Sequence, residues 1–212
     1  MPKVKIPRKS TNIDMTAMCD VAFLLLSFFI LATKTKPPEA VKVTTPTSVA
    51  SDVASDKAIV ITLNPEGKVF LLFGDNSKKN EILDDINKTK QLGLSPGEMK
   101  EWEKASYVGL PFNQIKPAIN SVEPVTAAQM GGIPVKDTLD NQLVDWVRSI
   151  VKIYFNSKLE LLIKGDNNAK YPYFNNILDA LKKNDQNKFK LVTSKEGIPA
   201  GSELDKANQK SK

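Results

Sequence analysis

The chain has 212 residues, 30 Lys and Arg against 24 Asp and Glu, a formal net charge of +6 and no histidine. Its single cysteine, Cys19, leaves no intramolecular disulfide and, with histidine absent, excludes His/Cys zinc sites and histidine-based triads. Proton chemistry must therefore run through carboxylates, lysine or tyrosine, and no cofactor or metal site is expected.

The 41% of hydrophobic residues is unevenly spread, with a dense block near the N-terminus. In "NIDMTAMCDVAFLLLSFFILATK", Asn12 to Lys34, the only charged residue between Asp14 and Lys34 is Asp20. Met15 to Thr33 would make a helix of about 28 Å, close to the thickness of bilayer hydrocarbon. Lys3, Lys5, Arg8 and Lys9 precede it without an acidic companion, and Lys34, Lys36 and Lys42 follow with Glu39. The positive-inside rule favours a cytoplasmic N-terminus over residues 1–13, a transmembrane helix over 14–34 and the rest of the chain outside the cytoplasm, which in a Gram-negative bacterium is the periplasm. A cleaved signal peptide is the alternative, but Ile30-Leu31-Ala32 is a poor small-x-small site. Basic ends beside an apolar block point to membrane lipid, and no motif points to nucleic acid.

Asp20 has two readings. It marks the helix start at the interface, or it is a buried proton carrier. A central Asp costs about 2.5–3.5 kcal/mol to insert, so such residues face protein or water. Burial penalises the charged form of a carboxyl group, which opens the way to reversible protonation. At 100° per residue Thr16, Asp20, Ser27 and Lys34 share a narrow stripe, flanked by Ala17 and Leu24, while Val21, Leu25, Leu26 and Phe29 lie off it. A stripe of small and polar side chains suits a helix inside a bundle.

Residues 35–57, rich in Pro, Thr, Ser and Val around Pro37-Pro38, read as a flexible linker. Ala58–Leu63 and Lys68–Phe73 are β-rich runs joined by Asn64-Pro65-Glu66-Gly67, a hairpin signal. Ser77–Leu92 has a helical pattern, in which Asp84-Asp85 reads as a solvated face. Ser95-Pro96-Gly97-Glu98 is a capping box with Pro at the first helical position. Gly109–Pro134, with its prolines and Gly131-Gly132, reads as irregular surface. Asp137–Phe155 is expected as the longest soluble helix. Leu159–Lys164 reads as a strand, Gly165–Lys170 as a turn, Tyr171–Lys183 as a helix and Phe189–Thr193 as a strand. Trp102 and Trp146 are expected in the core or an interface. Asp166 alone is not a cation site, and 195–212 is a polar, basic tail. This order predicts an α+β domain over 58–194, a small two-layer sheet with helices on one face.

Two of these stretches resemble the ExbD/TolR family. The run Ile13-Asp14-Met15-Thr16-Ala17-Met18-Cys19-Asp20-Val21 has the family's Thr four residues before the Asp and its apolar tail, with Asp14 for the usual Asn and Ala17 for the usual Pro. Leu159–Thr193 resembles the family's C-terminal strand–helix–strand unit, and the stretch between the two, about 75–136, is longer than the family's spacing. The resemblance implies a single-pass inner-membrane subunit of a proton-driven motor. It implies a homodimer whose helices thread a ring of a multi-helix ExbB-like partner, with Asp20 taking up and releasing protons. It also implies an outer domain that passes motion to a TonB-like or TolA-like transducer. Thr16 and Ser27 as helpers rest on the helical stripe alone. The competing reading is a TolR-like or other membrane-anchored periplasmic binding module, with the cell wall or an envelope partner as its target and no proton-driven activity. Nothing in the sequence supports an enzyme.

Overall fold

A computed structural model describes residues 15–33, 41–48, 55–121, 129–135 and 141–195. The chain divides into two units, residues 1–37 and 38–212. The expected basic segment before Asp14, Lys34 and the tail beyond Lys195 lie outside the described residues.

In the first unit Met15–Ala32 forms one helix, α1. No Gly or Pro interrupts the run, and each polar hydroxyl near its C-terminal half turns back on the backbone. Ser27 Oγ donates to the Leu24 carbonyl at 2.9 Å and Thr33 Oγ1 to that of Ile30 at 3.0 Å. At 18 residues, about 27 Å, α1 is long and apolar enough to cross a membrane.

The second unit is built on a mixed five-stranded sheet. In chain order its described elements are β1 (Thr47–Ser48), β2 (Ile59–Leu63), β3 (Val69–Phe73), α2 (Asn76–Lys90), α3 (Pro96–Lys104), β4 (Tyr107–Val108) and α4 (Phe112–Ile119). There follow α5 (Leu143–Ile153), β5 (Leu161–Gly165), α6 (Tyr171–Lys182), β6 (Lys190–Leu191) and β7 (Ser194–Lys195). The sheet order is β4-β3-β2-β5-β6, and β1 pairs separately with β7. β2 and β3 form the expected hairpin: Gly67 takes φ +83°, which a side chain would resist, and Asn64 Oδ1 accepts from Lys68 N at 2.7 Å. On its other side β2 runs parallel to β5, Ile59 facing Leu161 and Leu63 facing Gly165.

Alternate strand positions turn to one face. Ile59, Ile61, Leu63, Leu71, Phe73, Leu161 and Ile163 join a single core with Ile82, Leu83 and Ile86 of α2, Trp146, Val147 and Ile150 of α5, and Ile177 and Leu181 of α6. α2 packs against α3 and α5, and α5 against α6, so these helices form one layer. On the opposite face Val60 and Leu72 are half-buried, but Phe70 is buried, its ring so close to Gly109 that a Cβ there would meet it at 2.2 Å. Trp146 is fully buried against Phe73, Trp102 and Phe112, with ring centroids 5.8–6.4 Å apart. Its Nε1 has no hydrogen-bond partner. That orphan costs about 1–3 kcal/mol, less than the roughly 5 kcal/mol from burying about 200 Å² of indole.

Three expectations are corrected. Gly109–Pro134 holds a helix, α4, despite Pro117 inside it; burial of Ile115 and stacking of Phe112 on Trp146 hold it together. The predicted helix from Asp137 to Phe155 spans only Leu143–Ile153 among the described residues, so α2 is longer. Buried Asn141 sets its start: Oδ1 accepts from Leu143 N, Nδ2 reaches the Asn176 carbonyl, and Asn141 bridges to Val135. Asp84 is exposed as expected, but Asp85 is only partly so. Its carboxylate accepts from Ser149 Oγ at 2.7 Å and Lys152 Nζ at 2.5 Å and ties α2 to α5. Burial pushes this carboxyl up, but those two bonds and the Lys152 charge outweigh it and hold it below the ordinary range.

Two adjacent lysines at the start of α2 reach two different helix C-termini. Lys78 Nζ donates to the Ile153 carbonyl of α5, and buried Lys79 to those of Glu103 and Ala105 at the end of α3. Each cation meets the carbonyl end of a helix, where positive charge is favoured. Replacing Lys79 with Met should cost about 1–3 kcal/mol, because two carbonyls lose their buried donor; the denaturation midpoint in detergent, followed by Trp102 and Trp146 fluorescence, measures it. The capping box predicts a pH effect. Glu98 accepts from Ser95 N and from Asn120 Nδ2, both at 2.7 Å, and its carboxyl is held down to about 2 from 4.5, the Ser95 amide being the largest cause. Its contribution is therefore full above pH 4.5 and lost as pH falls through about 2. The wild type should lose stability relative to Glu98→Gln across that window, and parallel curves for the two would refute the assignment.

Candidate functional site

Five ionisable groups that burial or hydrogen bonding engages in the second unit serve the fold. Burial lowers Lys79, with the Glu103 charge opposing it, and the amine sits on helix carbonyls. Burial, then the charges of Asp75 and Glu81, raise Tyr154, which packs in the core beneath Lys78. Asp85 and Glu98 fasten helices, and Asp166 accepts from Thr44 N at 2.8 Å and Asn168 N at 2.9 Å. None of these five lines the cavity of about 610 Å³ between α3, β4 and α4. Its walls are mainly Trp102, Val108, Leu110, Ile115, Ile119 and Met130. It is assembled from three elements and left no signal in the sequence. Among the described residues no three Asp, Glu or Cys side chains converge as a metal ion requires.

The chemistry the sequence singled out lies on α1. Asp20 is its sixth residue, about 8 Å along the axis from Met15, so inside the apolar span and short of its middle. Among the described residues Asp20 has no ion pair or hydrogen-bond partner. Thr16 is one turn before it and Ser27 about 10 Å beyond it. The helix keeps these three on one side, as the 3.6-residue repeat requires, with Thr16 and Asp20 on successive turns and Ser27 two turns further on. Ser27, whose hydroxyl is committed to Leu24, is the one half-buried side chain of α1. The others are exposed, among them Val21, Leu25, Leu26 and Phe29 at 54–62%. An exposed carboxylate on a helix of exposed apolar side chains needs a surrounding that lipid alone does not give: apolar contact on most sides and a polar or protein lining on one.

The sequence model of the family described as "Biopolymer transport protein ExbD/TolR" matches residues 7–196. No curated protein and no solved structure matches the chain. The family match takes in α1 with Asp20 as well as the whole mixed sheet and its helices. With one N-terminal membrane-spanning helix followed by a mixed α+β unit, the chain belongs to the ExbD/TolR family of biopolymer transport proteins.

Proposed function

We propose that this chain is the ExbD-like subunit of an inner-membrane motor driven by the proton-motive force, energising TonB-dependent outer-membrane transport. Asp20 is its proton carrier. The observation that carries this reading is a carboxylate without a partner among the described residues on an otherwise uncharged α1, in a chain the family model matches almost throughout.

The energies fit. Moving one charge across the membrane supplies about 2.3 kcal/mol per 100 mV. Charging a central Asp costs about 2.5–3.5 kcal/mol. The two are comparable, so loading or unloading one proton is enough to change which surroundings α1 tolerates. Protonated, Asp20 passes apolar walls; ionised, it is held where water or a polar group meets it. An ExbB-like ring of helices supplies such walls and covers the exposed apolar side chains of α1. A homodimer lets two helices alternate within one ring, with Thr16 and Ser27 lining the side that Asp20 faces. The N-terminus is cytoplasmic and residues from the linker onward are periplasmic, where the mixed-sheet unit engages a TonB-like or TolA-like transducer.

In cells lacking the native gene, Asp20→Asn should accumulate in the membrane and retain its partners, yet fail to restore the lost phenotype. Full complementation by Asp20→Asn would end the proton-carrier role. Exchanging α1 for an unrelated single-pass helix should abolish activity as completely. Activity surviving that exchange would mark α1 as a tether and favour an anchored binding module.

A further inference from the structure

Strand direction gathers separate parts of the chain at one end of the sheet. β2, β5 and β6 run parallel, so the residues that lead into them lie together. Ile59 N donates to the Glu160 carbonyl at 3.0 Å, and Lys190 Nζ meets the Glu160 carboxylate at 3.2 Å. Two segments at this end, residues 155–160 and 182–190, hold Lys158, Lys182, Lys183, Lys188 and Lys190 against Glu160 and Asp185. All five lysines are exposed. Nearby, Lys78 meets Glu81, Lys152 meets Asp85, Lys57 follows Asp56 and Asp75 caps α2. The positive excess therefore belongs to the two segments.

Apolar anchors and main-chain bonds fix how these lysines are displayed. Leu159 and Phe189 pack against the core, with Lys158, Lys188 and Lys190 beside them in the chain. Ser157 N donates to the Tyr154 carbonyl at 2.8 Å, and Asp185 N and Gln186 N donate to those of Lys182 and Leu181, both at 3.0 Å. Phe155 stands outside this packing at 84% exposed, against 70% for Tyr171 and 55% for Leu191. Water disfavours such an apolar surface. An aromatic ring beside lysines suits the headgroup layer of a bilayer, where the ring enters the boundary and the ammonium groups meet phosphate. The lysines are spread along two segments and line no part of the cavity between α3, β4 and α4. A dispersed positive surface matches a dispersed negative one better than a single small anion. The chain also keeps a bilayer at hand, because α1 is long and apolar enough to span one.

We propose that this end of the second unit is a docking surface for an anionic phospholipid bilayer: Phe155 enters the headgroup layer, and Lys158, Lys182, Lys183 and Lys188 lie over lipid phosphates. The docking is reversible, since one ring and a few lysines each contribute little, and it weakens as salt screens the charges. It needs α1 in a membrane but does not rest on the motor reading.

The test uses the full-length chain with Cys19→Ser and Ser157→Cys, carrying an environment-sensitive fluorophore at position 157. It is placed in nanodiscs of phosphatidylcholine with or without phosphatidylglycerol, which differ in surface charge while either accommodates α1. In the anionic discs the label should shift to the blue and brighten about twofold, and salt at about 1 M, where screening acts within about 3 Å, should reverse both changes. Lys182→Gln, Lys183→Gln and Lys188→Gln together should return the label to its emission in neutral discs, with far-ultraviolet circular dichroism and tryptophan emission unchanged. Phe155→Ser should shrink the shift. Equal emission in the two lipid compositions overturns the proposal, and so does a shift that the triple variant retains. A label left bare in anionic discs but shielded in native membranes overturns it as well, because a protein then covers this end. An Asp20→Asn chain should show the full shift, so the motor reading can fail while the docking stands.

Discussion

The parallel pairing of β2 with β5 is the constraint on which the second unit depends. It joins Ile59–Leu63 to Leu161–Gly165, and parallel neighbours cannot be linked by a tight turn. The chain between them must cross over the sheet, and here the crossover is nearly a hundred residues long. It lays down β3 as a hairpin partner, adds β4 beyond it, and covers one face with α2, α3 and α5 before returning. Residues of this crossover are thus part of the core: Ile82, Leu83, Ile86, Trp102 and Ile115 share one cluster with Trp146 and the central strands. A second, shorter crossover through α6 brings β6 parallel to β5.

The membrane segment obeys a different physics. In water a helix hides its apolar stripe; in lipid it must satisfy its own backbone and keep polar side chains from hydrocarbon. α1 meets both demands except at Asp20. Ser27 and Thr33 spend their hydroxyls on carbonyls one turn back, but a carboxylate has no proton to give and finds no donor among its described neighbours. On that residual demand the proposed proton chemistry rests.

Within the second unit, polar side chains act as fasteners between elements that apolar packing has already brought together. Lys79 closes the end of α3, Asp85 joins α2 to α5, Asn141 joins the start of α5 to α6, and Glu98 joins α3 to the end of α4. Each spans residues distant in sequence or lying on separate elements. They add direction to a core whose apolar contacts are indifferent to it.

By itself the sequence determined what local periodicity and short-range chemistry can express. It determined α1 and the position of Asp20, since an uninterrupted apolar run with one charge has few alternatives. The Asn64–Gly67 turn, the Ser95–Glu98 capping box and the strand–helix–strand run from Leu159 also followed, because each is governed by residues within a few positions of one another. Tertiary structure alone decided which strand lies beside β2 and where α5 begins, since Asn141 answers to Asn176 across the fold. It gave α4 its existence in a stretch rich in proline, through contacts with Trp146. It turned Asp85 from a surface charge into an interhelix tie, and it fastened Thr44 to Asp166 across more than a hundred residues. Those outcomes depend on free energies shared between distant residues, and no single stretch of chain contains both partners.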